Sequence, residues 1–412
     1  MSQTAVTAPG ASRATAWAQV VTLSLTEITS WGILYYSFPV FLGPMEHALH
    51  WSQAALTGAF SLALLISGLM AIPVGRWLDH ARSPRALMTL GSLLAAAALA
   101  VWATVTTLPI FYALWIALGV AMAATLYEPA FTTVAAWFPR RERALTVLTT
   151  LGGLASVIYL PVTALLVEHA GWRMALLLLA GILLVGAALP HLVVLRPYGA
   201  AMRNISQTDV AASSPSLSQP SQPSQPSQPS WRTWRFWRLV AGFSLTQVAI
   251  SALIVYLIPY LGQRGMGATQ AASASGLIGV TALAGRVFAT WRSAPATRAT
   301  ITALCFLALA TGVVLLTLTP GIIGLALFII LFGVGFGVYS PARAGLVADF
   351  FGAAVFGRVN GQVALAITLA RAAGPALAGA LLSRGTGYAA VFWLMAALAA
   401  LGAVLLWLPG RS

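Results

Sequence analysis

The chain has no lysine, only eight acidic residues and a single cysteine, Cys305, in 412 residues. Without lysine there is no phosphate-cradling loop ending in Gly-Lys-Ser/Thr, which excludes the usual ATP motor. Any work done on a solute must therefore draw on a gradient. One cysteine excludes an intrachain disulfide and a thiolate metal cluster. His47, His50, His80, His169 and His191 show no metal-ligand spacing and read as loop or helix-end residues. No Gly-x-Ser-x-Gly or His-Glu-x-x-His motif is present, so neither an enzyme nor a cofactor site is expected. Charge is scarce as well, at 7% of residues against about 25% in a soluble domain.

Apolar residues make up 59% of the chain. At roughly 20 apolar residues per membrane crossing, that is enough for about twelve helices. Hydrophobic runs broken by charge, Pro or Gly fall at 17–43, 54–78, 86–107, 109–138, 144–167, 172–195, 236–262, 270–291, 299–318, 321–350, 359–383 and 387–409. The first run is too long for a secretory leader, so it is expected to remain as span 1. Sixteen arginines fall on one side of this topology and three (Arg173, Arg264, Arg384) on the other, which predicts both termini in the cytoplasm. The formal charge of +14 then reads as loops facing an anionic inner leaflet rather than as a nucleic-acid surface.

The two halves repeat each other. Thr26-Glu27, Tyr36 and Pro39 return as Thr246-Gln247, Tyr256 and Pro259, displaced by 220 positions. Tyr127-Glu-Pro-Ala returns as Tyr339-Ser-Pro-Ala and Gly171-Trp172 as Gly387-Tyr388, displaced by 212 and 216. A duplicated six-span unit explains matches in this order. The expected organisation is an N-terminal six-helix bundle over 1–195, a cytoplasmic linker over 196–235 and a C-terminal six-helix bundle over 236–412. The linker ends in four Ser-Gln-Pro units with nothing to bury, which predicts disorder. WRTWRFWR at 231–238 follows and reads as an interfacial anchor.

This pattern resembles the major facilitator superfamily over essentially the whole chain outside the linker. The superfamily's loop signature between spans 2 and 3 is matched by Gly75-Arg-Trp-Leu-Asp79-His80-Ala-Arg82-Ser-Pro-Arg85, with His80 in place of the usual base and Arg82 in place of glycine. Gly75, Asp79, Arg82 and Arg85 are accordingly assigned to gating. Trp137-Phe138-Pro-Arg140-Arg141 and Ala284-Gly285-Arg286 are similar to segments of the monocarboxylate and oxalate/formate branch, where the second presents an anion-binding arginine. Leu160-Pro161 stands where proton/drug antiporters carry Gly-Pro. The resemblance implies an all-α membrane protein of twelve transmembrane helices in two pseudo-symmetric bundles, with spans 1, 4, 7 and 10 lining a central cavity.

Ionised side chains at bilayer depth are costly and mark function. Glu27, Trp31 and Tyr35 at i, i+4, i+8 share one helical stripe, either as a binding floor around a titratable group or as helix packing. Glu128, before Pro129, reads either as a proton carrier or as the partner of Arg140 or Arg141. Arg286 reads either as a carboxylate clamp in span 8 or as part of a loop signature, and Arg371 lies deep in span 11. Arg343 reads as a substrate contact or as a gate partner of Glu128 or Asp349. Gln247 and Tyr256, the symmetry mates of Glu27 and Tyr36, complete the candidate substrate site. Gly333-x-Gly335-x-Gly337 reads as close helix packing rather than dinucleotide binding.

The sequence therefore predicts a monomeric, multi-pass secondary transporter of the bacterial inner membrane, a symporter without cofactor or nucleic-acid partner. It would move a small organic anion, a monocarboxylate, with protons by alternating access. The competing expectation is a proton-coupled drug or metabolite efflux antiporter.

Overall fold

A computed structural model describes residues 13–81, 83–138, 142–195, 233–289, 295–352 and 355–407. Among these residues the secondary structure is helical, with no strands. Helices occupy all twelve predicted spans. Span 1 is Arg13–Trp31, a π-turn over Gly32–Tyr36 and Phe38–Leu49. Span 2 is Gln53–Ala81, span 3 is Pro84–Trp102, and span 4 is the pair Leu108–Thr125 and Tyr127–Trp137. Spans 5 and 6 run from Glu142 to Val193 through a break at Gly153-Leu154, a turn at Gly171 and a second π-turn at Leu184–Ala188. Spans 7 to 12 are Trp234–Gln263, Ala268–Ala289, Pro295–Leu318, Ile322–Phe351, Phe356–Leu382 and Tyr388–Trp407.

Among the described residues, nine stretches are long and apolar enough to cross a membrane on composition alone, and they contain ten of the predicted spans. Arg143–Val193, at 51 residues, holds two of them, and Gly171 separates these with φ 75° and ψ 160°. That backbone conformation favours glycine. Just beyond it, Arg173 folds over the Trp172 ring and donates to the Ala103 carbonyl at 2.6 Å, so a cation caps the C-terminal end of span 3. Spans 1 and 8 fall outside the nine. Both carry polar residues within their length, Thr26, Glu27, Thr29, Ser30 and Ser37 in the first and Thr269, Gln270, Ser273, Ser275 and Thr281 in the eighth.

The packing repeats with the sequence. Span 1 packs on 5 and 6, span 2 on 4, and span 3 on 4 and 6. Span 7 likewise packs on 11 and 12, span 8 on 10, and span 9 on 10 and 12. The halves meet where span 2 lies on span 11 and span 5 on span 8, two contacts that exchange under the same twofold relation. Small residues let these helices close up. A methyl added at Gly335 would sit 2.7 Å from the Cys305 carbonyl of span 9, while one at Gly333 or Gly337 would collide with Thr281 or Ala282 of span 8. The G-x-G-x-G run is thus a two-sided packing surface.

The expected linker over 196–235 lies outside the described residues up to 232, and span 7 begins at Trp234.

Candidate functional site

In span 1 a proline sets the geometry. Pro39 has no amide hydrogen and its ring crowds the carbonyl four residues earlier. The chain accommodates this with a π-turn, in which the Ser37 amide donates to the Gly32 carbonyl at 2.9 Å. The extra residue changes the predicted stripe. Tyr35 packs under Trp31 at 5.4 Å but turns against Phe60 of span 2 at 5.5 Å, and Tyr36 is brought alongside Trp31 at 6.5 Å. Tyr36 is a site residue that helical spacing alone does not find. Pro39 was the signal for it.

Glu27 is fully buried, at 0% exposure, in the same span. Its carboxyl lies beside the Trp31 indole N–H, but not in hydrogen-bonding geometry: both Glu27 oxygens and Trp31 Nε1 lack a partner among the described residues. Beyond that neighbouring N–H, no group among the described residues offsets a negative charge on the carboxyl.

Span 4 supplies the second wall. Leu126 leaves helical geometry at φ −85° and ψ −165°, so Tyr127, Glu128 and Pro129 open a new helix at mid-span. Tyr127 packs against Trp31 at 5.1 Å and stacks on Phe131 at 5.1 Å, and its hydroxyl lies over Gly152 of span 5. Glu128 is exposed and within electrostatic range of Arg343 in span 10, so it faces the other half. Arg140 and Arg141, its alternative partners, lie outside the described residues.

The arginines come from the C-terminal half. Arg286 is on the span 8 helix rather than in a loop, and its guanidinium donates to the Thr149 carbonyl of span 5 at 2.6 Å. The break at Gly153 makes room for it, since a Cβ there would sit 2.5 Å from Nη1. Arg343 has a buried Nε with no hydrogen-bond partner among the described residues. Asp349 is not its ion-pair partner, because that carboxylate is taken by Arg298 of span 9 at 2.6 Å, one helix away. Arg371 makes no hydrogen bond or salt bridge among the described residues, yet it is in electrostatic range of Tyr35, Tyr36, Tyr339 and Arg343. Arg286 is similarly coupled to Tyr36 and Tyr127, and Tyr127 to Glu27.

One cluster thus joins Glu27, Trp31, Tyr35, Tyr36, Tyr127 and Glu128 of the first half to Arg286, Tyr339, Arg343 and Arg371 of the second. One predicted member is engaged elsewhere: Tyr256 spends its hydroxyl on Thr57 Oγ1 at 2.9 Å, in the seam between spans 7 and 2, while Gln247 is buried in span 7. Of the loop signature, Gly75 has open space around it and Arg85 is exposed. Arg82 and the side chain of Asp79 lie outside the described residues. His191, in the last turn of span 6, is a buried histidine held by Ser92 at 3.0 Å.

Fold and cluster together define a multi-pass helical carrier built of two related bundles. The sequence matches the profile of the Major Facilitator Superfamily over residues 23–375 and 297–412, and the chain belongs to that family. It is 26% identical to monocarboxylate transporter 12-B of Danio rerio over 243 residues, which is 54% of this chain and 50% of that protein. Monocarboxylate transporter 12 of Rattus norvegicus is 28% identical over 54% of this chain and 49% of its own length. The chain therefore spans about half the length of the curated relatives it matches. Among solved structures it resembles the nucleoside transporter NupG, with TM-score 0.69 and 14% identity over 95% of this chain and 97% of that one. It also resembles an inward-facing, unoccupied bacterial homologue of the human lysosomal transporter Spinster, with TM-score 0.66 and 14% identity over 96% and 95%.

Proposed function

We propose that the protein is a proton-coupled secondary transporter that moves a small organic anion, a monocarboxylate, by alternating access between its two bundles. One observation carries the reading: Arg286, Arg343 and Arg371 converge from three spans of one half, and among the described residues no carboxylate forms a salt bridge with any of them. Guanidinium groups held at bilayer depth without a counter-ion are costly unless cargo supplies one. A carboxylate suits their planar, two-pronged donor geometry.

Glu27 is the proposed proton carrier, because its burial without a partner suits the neutral form, and Glu128 opposite Arg343 is the second. A monoanion moved with one proton is electroneutral. The relatives named as monocarboxylate transporters support the cargo class, and the excess of arginines on the terminus-bearing side supports a bacterial inner-membrane protein with both termini in the cytoplasm. The working unit in this scheme is the monomer.

Purified protein in liposomes tests the scheme. Uptake of a labelled monocarboxylate should follow an inward proton gradient and be indifferent to membrane potential. Uptake driven by potential alone, with no response to a pH step, would overturn it.

A further inference from the structure

The two halves bring different chemistry to the cluster, and the division specifies the cargo more narrowly than an organic anion. The first half contributes rings: Trp31, Tyr36, Tyr127 and Phe131 touch one another in sequence, with Trp31 to Tyr36 at 6.5 Å, Trp31 to Tyr127 at 5.1 Å and Tyr127 to Phe131 at 5.1 Å. All four are partly exposed although they lie mid-span. Two of them lie toward the other half: Tyr36 and Tyr127 are within electrostatic range of Arg286, and Tyr36 also of Arg371.

The rings also differ in what their polar tips do. Tyr339, the symmetry mate of Tyr127, donates its hydroxyl to the Phe243 carbonyl at 2.9 Å and is tied into its own bundle. The hydroxyls of Tyr36 and Tyr127 make no hydrogen bond among the described residues, and Trp31 Nε1 is buried without a partner. Ring faces and unspent hydroxyl donors therefore stand near guanidiniums that form no salt bridge with a carboxylate among the described residues.

A short aliphatic acid would satisfy the arginines and leave this aromatic surface uncovered. A planar arene with one carboxylate would cover both, gaining ring–ring contact beyond its buried area while its anionic end takes the guanidiniums. It would also touch both bundles at once, which is what couples cargo to their relative movement. We infer that the cargo is an aromatic carboxylate, with its ring on the first half and its carboxylate on the second. This rests on the anion reading proposed above.

Calorimetric titration of the full chain with benzoate, cyclohexanecarboxylate and acetate tests the inference without any substitution. Benzoate should bind roughly tenfold tighter than the saturated ring of similar size, and acetate weakest of the three. Trp31→Leu should bring benzoate and cyclohexanecarboxylate to equal affinity, and Trp31→Phe should restore much of the gap. Acetate binding as tightly as benzoate would remove the aromatic inference and leave the anion reading standing, as would equal affinity for the two rings in the unaltered protein. Binding of none of the three would remove both.

Discussion

The two bundles share one helix-packing scheme and differ in the chemistry they place at its centre. Applying the repeat offsets, Glu27 corresponds to Gln247, Glu128 to Ser340, and Arg343 to Phe131. The carboxyls lie in the first bundle, while Arg286, Arg343 and Arg371 lie in the second. Packing therefore tolerated duplication unchanged, because close contacts depend on size and on spacing along a helix. The central charges differ between the halves, and identical charges brought into apposition would repel and each need a separate counter-ion. Under the proposed scheme cargo and proton fall to opposite bundles, so that neither half alone would hold a neutral site.

The strongest way to break that assignment is Arg371→Gln. It keeps the side chain's reach and polarity but removes the charge, and loss of a charge-assisted pair with a carboxylate is expected to weaken anion binding roughly 100-fold, about 3 kcal/mol. Titration of the purified variant with benzoate measures this. Undiminished affinity in both Arg371→Gln and Arg286→Gln would show that neither of these arginines holds the anion. Next in size is Glu27→Gln, which installs in the first half the residue its symmetry mate already has. Gradient-driven accumulation should fall to equilibrium levels while exchange of external for internal anion continues. Retained accumulation under a proton gradient would place the proton elsewhere.

A smaller effect is expected from the seam between the halves. Gly153→Ala puts a methyl 2.5 Å from the Arg286 guanidinium, against the hydrogen bond to Thr149. The guanidinium must shift, and relaxation of such overpacking costs about 1–3 kcal/mol. Anion affinity should drop several-fold, whereas the same change at Gly75, which has open space around it, should leave affinity alone. Equal effects at the two glycines would mean that the position of Arg286 against span 5 does not matter.

Much of this architecture was legible in the sequence, for identifiable reasons. Span positions follow from apolar runs that must cover about 30 Å of hydrocarbon, and the internal repeat was visible because Tyr127-Glu-Pro-Ala and Gly171-Trp172 keep order and spacing. Arg371 and Glu27 could be named because charge inside an apolar run is conspicuous. Less legible was anything that turns on helix register. Tyr36 enters the cluster only because the turn before Pro39 takes one extra residue, and Tyr256, its mate in the repeat, is drawn to Thr57 instead. Ion-pair partners were also hidden, since Asp349 is six residues from Arg343 in sequence yet bonds Arg298 on a neighbouring helix. Separation along one helix does not decide which adjacent helix a side chain meets.

That Arg298–Asp349 pair supplies the smallest prediction and sharpens the contrast between paired and unpaired arginines. Its side chains are 28% and 16% exposed, so solvent already screens part of the attraction. Asp349→Asn should lower stability by about 1 kcal/mol or less, seen as a small decrease in Tm, with anion affinity unchanged. The same offset that relates the two tyrosines places Trp137 at the position of Asp349, and among the described residues its buried Nε1 has no partner. The pair thus belongs to one half alone, as the central arginines do, but it is neutralised within the protein. Arg298 has its counter-ion permanently and is expected to contribute only to the fold. Among the described residues Arg371 has none, and in the proposed scheme its charge is what an incoming carboxylate meets. A large loss of anion affinity in Asp349→Asn would mean that the second bundle's arginines act as one connected network, and that the unpaired ones are not set apart for cargo.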